Sequence, residues 1–91
     1  MNGKLSPSSE YGRFVIAENQ IRNEFARAQR LHPIWPADII HQAAVVAEEA
    51  GEVVKAANDY RYHGGSLEDV RTELVQTGAM VLRMLINLPR K

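Results

Sequence analysis

Three carboxylates crowd into five positions of "VVAEEAGEVVKAAND", at Glu48, Glu49 and Glu52, and Glu73 follows with Gln76 in "ELVQ". Oxygen donors gathered in this way suit a hard divalent cation, Mg²⁺ or its substitute Mn²⁺, because Mg²⁺ is held by a few carboxylates, waters and phosphate oxygens. Without a cation each carboxylate raises the pKa of the next and works against the fold near neutral pH. The competing reading is a solvated helix face. Glutamate is a good helix former, and Glu48 with Glu52, and Glu52 with Lys55, are spaced as surface neighbours. Two positions argue for the metal: Glu49 borders one apolar stripe, and Glu73 sits next to Leu74 in another.

These groups must be held by helices. Tyr11, Phe14, Val15, Ile21, Phe25, Ala28 and Leu31 recur at helical spacing, which predicts a first helix from about Glu10 to Leu31. "HPIWPAD" breaks it, since each proline biases the preceding residue away from helical geometry. Pro36 suits the first turn of a second helix over 36–62. On its wheel Ile39, Ala43, Val46, Ala50, Val53, Val54 and Ala57 share one face; His41, Glu48, Glu52, Lys55 and Asp59 share the opposite one. Paired glycines in "HGGS" supply a turn, and Ser66 with Asp69 resembles a capping box. A third helix runs from there to about 88, with Leu67, Val70, Leu74, Gly78, Val81, Leu82, Leu85 and Leu88 as its stripe, and Pro89 ends it.

Helices two and three then form an antiparallel hairpin. Glu52 precedes Gly64 by 12 residues and Glu73 follows Gly65 by 8, which places them ~18 and ~12 Å from the turn. Those levels are close enough for the side chains to converge. The expected architecture is therefore all-α: an antiparallel bundle of three main helices. Helix three carries more apolar surface than helix two can cover, so the bundle is expected to be completed by oligomerisation, as a homodimer or homotetramer.

Bulk properties narrow the class. With 91 residues the chain is one domain, 10–91, behind a loose tail at 1–9. Eleven basic and eleven acidic side chains give no net charge, which argues against nucleic acid as the main partner. No cysteine is present, excluding disulfides and thiolate metal sites and fitting a cytoplasmic protein. No apolar run reaches the ~20 residues that a membrane span needs, so no membrane association is expected.

"EEAGE" at 48–52, a helical turnaround, and "ELVQ" at 73–76 together resemble the E-E-x-x-E and E-x-x-D motifs of the MazG-like, all-α nucleoside triphosphate pyrophosphohydrolases. The likeness runs from about His32 to Leu88. It implies ligand roles toward Mg²⁺ for Glu49, Glu52 and Glu73, with Glu48 as an outer or additional ligand. Gln76 stands where the family has aspartate; its oxygen can coordinate but adds no charge, so metal binding is expected to be weaker. The activity implied is cleavage of a nucleoside triphosphate between the α and β phosphates, giving a monophosphate and pyrophosphate. Glu48 or Glu52 is the candidate base.

Lys55 could meet a phosphate or could pair with Glu52 or Asp59; Arg71 and Arg83 are weaker candidates for the phosphate. Trp35 could stack on a base, although beside two prolines a packing plug is favoured. His32, His41 and His63 lack the spacing of a zinc set. Two alternatives remain: phosphoribosyl-ATP pyrophosphohydrolase, a relative that would cut the same bond in another substrate, and a catalytically silent helical oligomerisation module.

Overall fold

The computed structural model describes residues 6–90 and shows three α-helices: α1 (Glu10–Leu31), α2 (Ile39–Tyr62) and α3 (Leu67–Ile86). Each begins at a side-chain cap. Ser9 accepts from Gly12 N–H, Asp38 from His41 N–H and Ser66 from Asp69 N–H, satisfying backbone donors that the first helical turn leaves without partners. Residues 1–5 of the expected tail lie outside the described residues; 6–9 form a turn in which Ser9 N–H donates to the Ser6 carbonyl at 3.1 Å.

Two boundaries differ from those expected. Asp38, rather than Pro36, opens α2, because its carboxylate caps the helix at 3.0 Å and leaves Pro36 in the connecting segment. The Pro36 and Ala37 carbonyls are taken up by the side-chain amide of Gln42, at 3.0 and 3.5 Å. At the other end α3 stops at Ile86, where Asn87 donates from its backbone to Met84 and from its side chain to Arg83. The turn between α2 and α3 uses Gly64 at φ +76°, a conformation that favours glycine.

α3 packs against α2 on one side and α1 on the other, while α1 and α2 do not pack on each other. Close approach between α1 and α3 depends on Gly78, where a Cβ would stand 2.8 Å from Ile21 Cδ1. Among the described residues the buried apolar side chains are three alanines, Ala28, Ala56 and Ala79.

The face that α2 turns to α3 is not the predicted apolar stripe. Gln42 and Ala56 are buried on it and Glu49 is half-buried; of the predicted stripe only Val46 and Val53, at its near edge, are half-buried, whereas Ile39, Ala43, Ala50, Val54 and Ala57 are exposed. The seam is thus rotated by roughly a quarter turn. Much of the predicted α3 stripe is likewise open: Leu67, Leu74, Val81, Leu85 and Leu88 are all exposed. A single α3 cannot cover two outer helices on all sides. The exposed area, 6796 Å², exceeds the about 5,300 Å² of a compact chain this size, and the radius of gyration of 15.4 Å exceeds about 12 Å.

Glycine positions check this packing. Gly78→Val is expected to lose about 1–3 kcal/mol of stability by overpacking against Ile21. Gly51, with open space around its Cα, should gain roughly 0.5–1 kcal/mol as Gly51→Ala. Denaturant unfolding of the two variants would give shifts of opposite sign.

Candidate functional site

The rotation of α2 has a direct consequence for the acidic residues. Glu49 follows Gln42 by two helical turns on the face turned inward, so it opens into a cleft of about 660 Å³ between α1 and α2, floored by α3. Gln76 and Met80 of α3 line the same cleft, as do Glu24 and Arg27 of α1. Glu52 and Glu73 line a smaller hollow of about 160 Å³ between α2 and α3, together with Asp69 and Lys55. The expected ligand set is therefore divided between two adjoining depressions, with Glu49 and Gln76 in one and Glu52 and Glu73 in the other. Glu48 is exposed.

Electrostatics join what the surface divides. Burial pushes the Glu49 carboxyl above the usual carboxylate range, and the charges of Glu73, Glu48, Glu52 and Glu24 push it further in that order. Every acidic residue of the two motifs acts on Glu49, across both helices. The donor chemistry fits a hard divalent cation: all-oxygen ligands whose mutual repulsion a cation would relieve. Among the described residues, however, no three histidine, aspartate or glutamate side chains converge closely enough to form a ready-made metal cage.

Cationic candidates separate clearly. Lys55 pairs with Asp59 at 3.2 Å and Arg71 with Glu68 at 3.4 Å, both on exposed faces where such pairs contribute little. Arg71 lines a groove between α1 and α3, outside the two depressions that hold the motif carboxylates. Arg83, by contrast, is only 3% exposed and lies under Trp35, with its Cζ 4.7 Å from the ring centre, a cation–π contact. Its Nη2 donates to the His32 carbonyl at 2.6 Å, tying α3 to the segment after α1. Trp35 thus packs between elements and at the same time lines the large cleft. Of the three histidines, His32 and His41 both line the cleft, and the His32 carbonyl accepts from Arg83.

Glu24 was not singled out from sequence. Its side chain is 17% exposed and pairs with Arg27 at 3.0 Å. The signal that marks Glu49 was present here as well: Glu24 stands three after Ile21 and four before Ala28, inside the α1 stripe. Three buried polar atoms have no hydrogen-bond partner among the described residues: Trp35 Nε1, Gln42 Oε1 and Arg83 Nε.

Comparison with family models, with curated proteins and with solved structures finds no match to this chain. Its functional reading rests on the residues themselves.

The raised pKa of Glu49 sets the sign of a pH effect. The folded chain holds the Glu49 proton at pH values where the unfolded chain has released it. This group's contribution to stability is therefore present below the ordinary carboxylate range and lost as pH rises through the raised value. Glu49→Gln is expected to raise the melting temperature at neutral pH while changing it little near pH 4. Thermal unfolding followed by circular dichroism across that range would reveal a flattened profile, and an unchanged profile would reject the assignment.

Proposed function

We propose that this chain is a metal-dependent nucleotide pyrophosphohydrolase of the MazG-like kind, cleaving a nucleoside triphosphate to the monophosphate and pyrophosphate. The observation that carries the reading is the Glu49 carboxyl, half-buried beside a cleft of ligand size and raised first by that burial and then by the charges of Glu73, Glu48, Glu52 and Glu24. A fold that only needed a solvated helix would keep these charges apart, since their repulsion opposes folding. Glu49, Glu52, Glu73 and Gln76 are the residues that would hold Mg²⁺ or Mn²⁺. The cation supplies neutralisation of phosphate oxygens and acidification of a water.

The chain's own part in the reaction is proton and charge management. Glu48 or Glu52 takes a proton from the attacking water; the new P–O bond forms as the bond between the α and β phosphates breaks, and pyrophosphate leaves. Lys55 lines the smaller hollow with Glu52 and Glu73 and pairs with Asp59; released from that pair, it would meet the departing phosphates. Gln76, without a charge, keeps the negative potential lower than an aspartate would.

Homo-oligomerisation belongs to the same proposal. The exposed apolar rows of α2 and α3 adjoin one another, with Val46, Val81 and Leu85 lining a common shallow depression on that side. A second copy covering this face would remove the excess exposed area, which at about 1,500 Å² is more than the about 800 Å² that each partner buries in a standard interface. The second reading, a catalytically silent oligomerisation module, draws on the absence of a preformed cage among the described residues.

Pyrophosphate release from a panel of canonical and modified triphosphates, and from phosphoribosyl-ATP, separates these readings. With Mg²⁺ or Mn²⁺ the native chain is expected to release pyrophosphate, and Glu52→Gln to lose at least roughly 10²-fold in rate, the range of general-base losses. The metal alone should raise the melting temperature by linkage. A chain that neither cleaves nor responds to metal would be the silent module. Sedimentation equilibrium is expected to show a multiple of the chain mass that falls to the monomer in Val81→Glu.

A further inference from the structure

Two polar side chains are buried among the described residues, Gln42 at 2% and Arg83 at 3% exposure. They stand on different helices, α2 and α3, and both reach the same short stretch of chain. The Gln42 side-chain amide donates to the Pro36 carbonyl at 3.0 Å and to the Ala37 carbonyl at 3.5 Å, while Arg83 Nη2 donates to the His32 carbonyl at 2.6 Å. Segment 32–37 is thus tied at both ends. Between the ties, the Trp35 ring lies against the Arg83 guanidinium.

This segment is also a wall of the large cleft, which His32, Ile34, Trp35 and Pro36 line beside Glu49 and Gln76. Among the described residues, 33–37 make no hydrogen bond from backbone to backbone. Side chains supply the partners that a helix or strand would otherwise provide. Because α1 and α2 do not pack on each other, the separation of the two sides of the cleft is set through α3 and through this connection. Burying a guanidinium costs more than burying an apolar side chain, and apolar replacements of buried ionic groups are often neutral or stabilising. As a packing residue Arg83 is therefore an expensive choice. What it supplies beyond packing is a fixed place for the His32 carbonyl and the Trp35 ring.

We propose that Gln42 and Arg83 are positioning residues that hold segment 32–37 as a preformed wall of the substrate cleft. The inference rests on the nucleotide reading above and adds how the cleft keeps its shape. Ordering a loose segment upon binding subtracts from affinity, and a wall fixed in advance avoids that loss. The effect falls on binding rather than on chemistry. Glu49, Glu52 and Glu73 stand on α2 and α3, which pack on each other directly, so loosening the segment leaves them in place.

Arg83→Met and Gln42→Met keep side-chain length and helix propensity but remove the donors. In the full chain with Mg²⁺, each is expected to raise the KM for pyrophosphate release roughly tenfold and to leave kcat unchanged. A merely structural role would instead lower the folded fraction, and with it the apparent kcat, at constant KM. Trp35 is the single tryptophan, so its fluorescence follows the segment without substrate. Acrylamide quenching is expected to rise in both variants while helicity by circular dichroism stays native. Gln42 makes no hydrogen bond to Trp35, so a rise in Gln42→Met reports the segment rather than an uncovered ring. Native quenching in Gln42→Met, or a kcat that falls at constant KM in both variants, overturns the proposal. Raised quenching in a chain that cleaves no triphosphate keeps the held segment and removes the hydrolase; release with native quenching in both variants does the reverse.

Discussion

Because α1 and α2 touch only α3, all tertiary packing between helices in this chain passes through one helix of 20 residues. A shared neighbour has to be narrow on both sides. Ala79 is wholly buried, and Gly78 admits Ile21 where a side chain would collide. Such close approach brings backbones together but buries little apolar area, and the free energy of burial scales with that area. The same arrangement keeps the outer helices apart. The space between them is the cleft, so the feature that limits the core also provides the site.

The cleft is bipolar. At one end Glu49 lies in a field of four other carboxylates; at the other, a buried arginine is held by a carbonyl and an indole ring rather than by an acid. The Glu24–Arg27 pair lies on the α1 wall. Proteins seldom leave charges of opposite sign in one cavity without joining them, since each unpaired buried group carries a desolvation penalty.

Much of the fold was legible because its signals are local. The apolar spacing over 10–31, the paired glycines at 64–65 and the Ser66 cap each act within a turn or two of chain, and each appears where expected. Pro36 misled because a proline is tolerated in a first helical turn but does not demand one, and the Asp38 carboxylate two residues later caps more effectively. Glu49 was marked by its place at the edge of an apolar stripe. Glu24 carried the same mark and was passed over, since no second acid stood near it in sequence. Its partners in the field lie on other helices.

What the sequence determined by itself is the set of helices, the antiparallel pairing of two of them and the shared level of Glu52 and Glu73, which line one hollow, because helical rise and turn chemistry convert spacing into position. Only the tertiary structure decided which face of α2 turns inward. Two faces were available, an apolar one and one carrying Gln42, Glu49 and Ala56; the second is turned inward, while of the first only the edge at Val46 and Val53 is half-buried and the rest stays exposed. Periodicity identifies an apolar stripe but not the surface that covers it, and here α3 alone does not. Arg83 was equally beyond the reach of spacing. Its environment is made by a carbonyl 51 residues away and by a tryptophan on a segment of irregular backbone, contacts that exist only once the helices have packed.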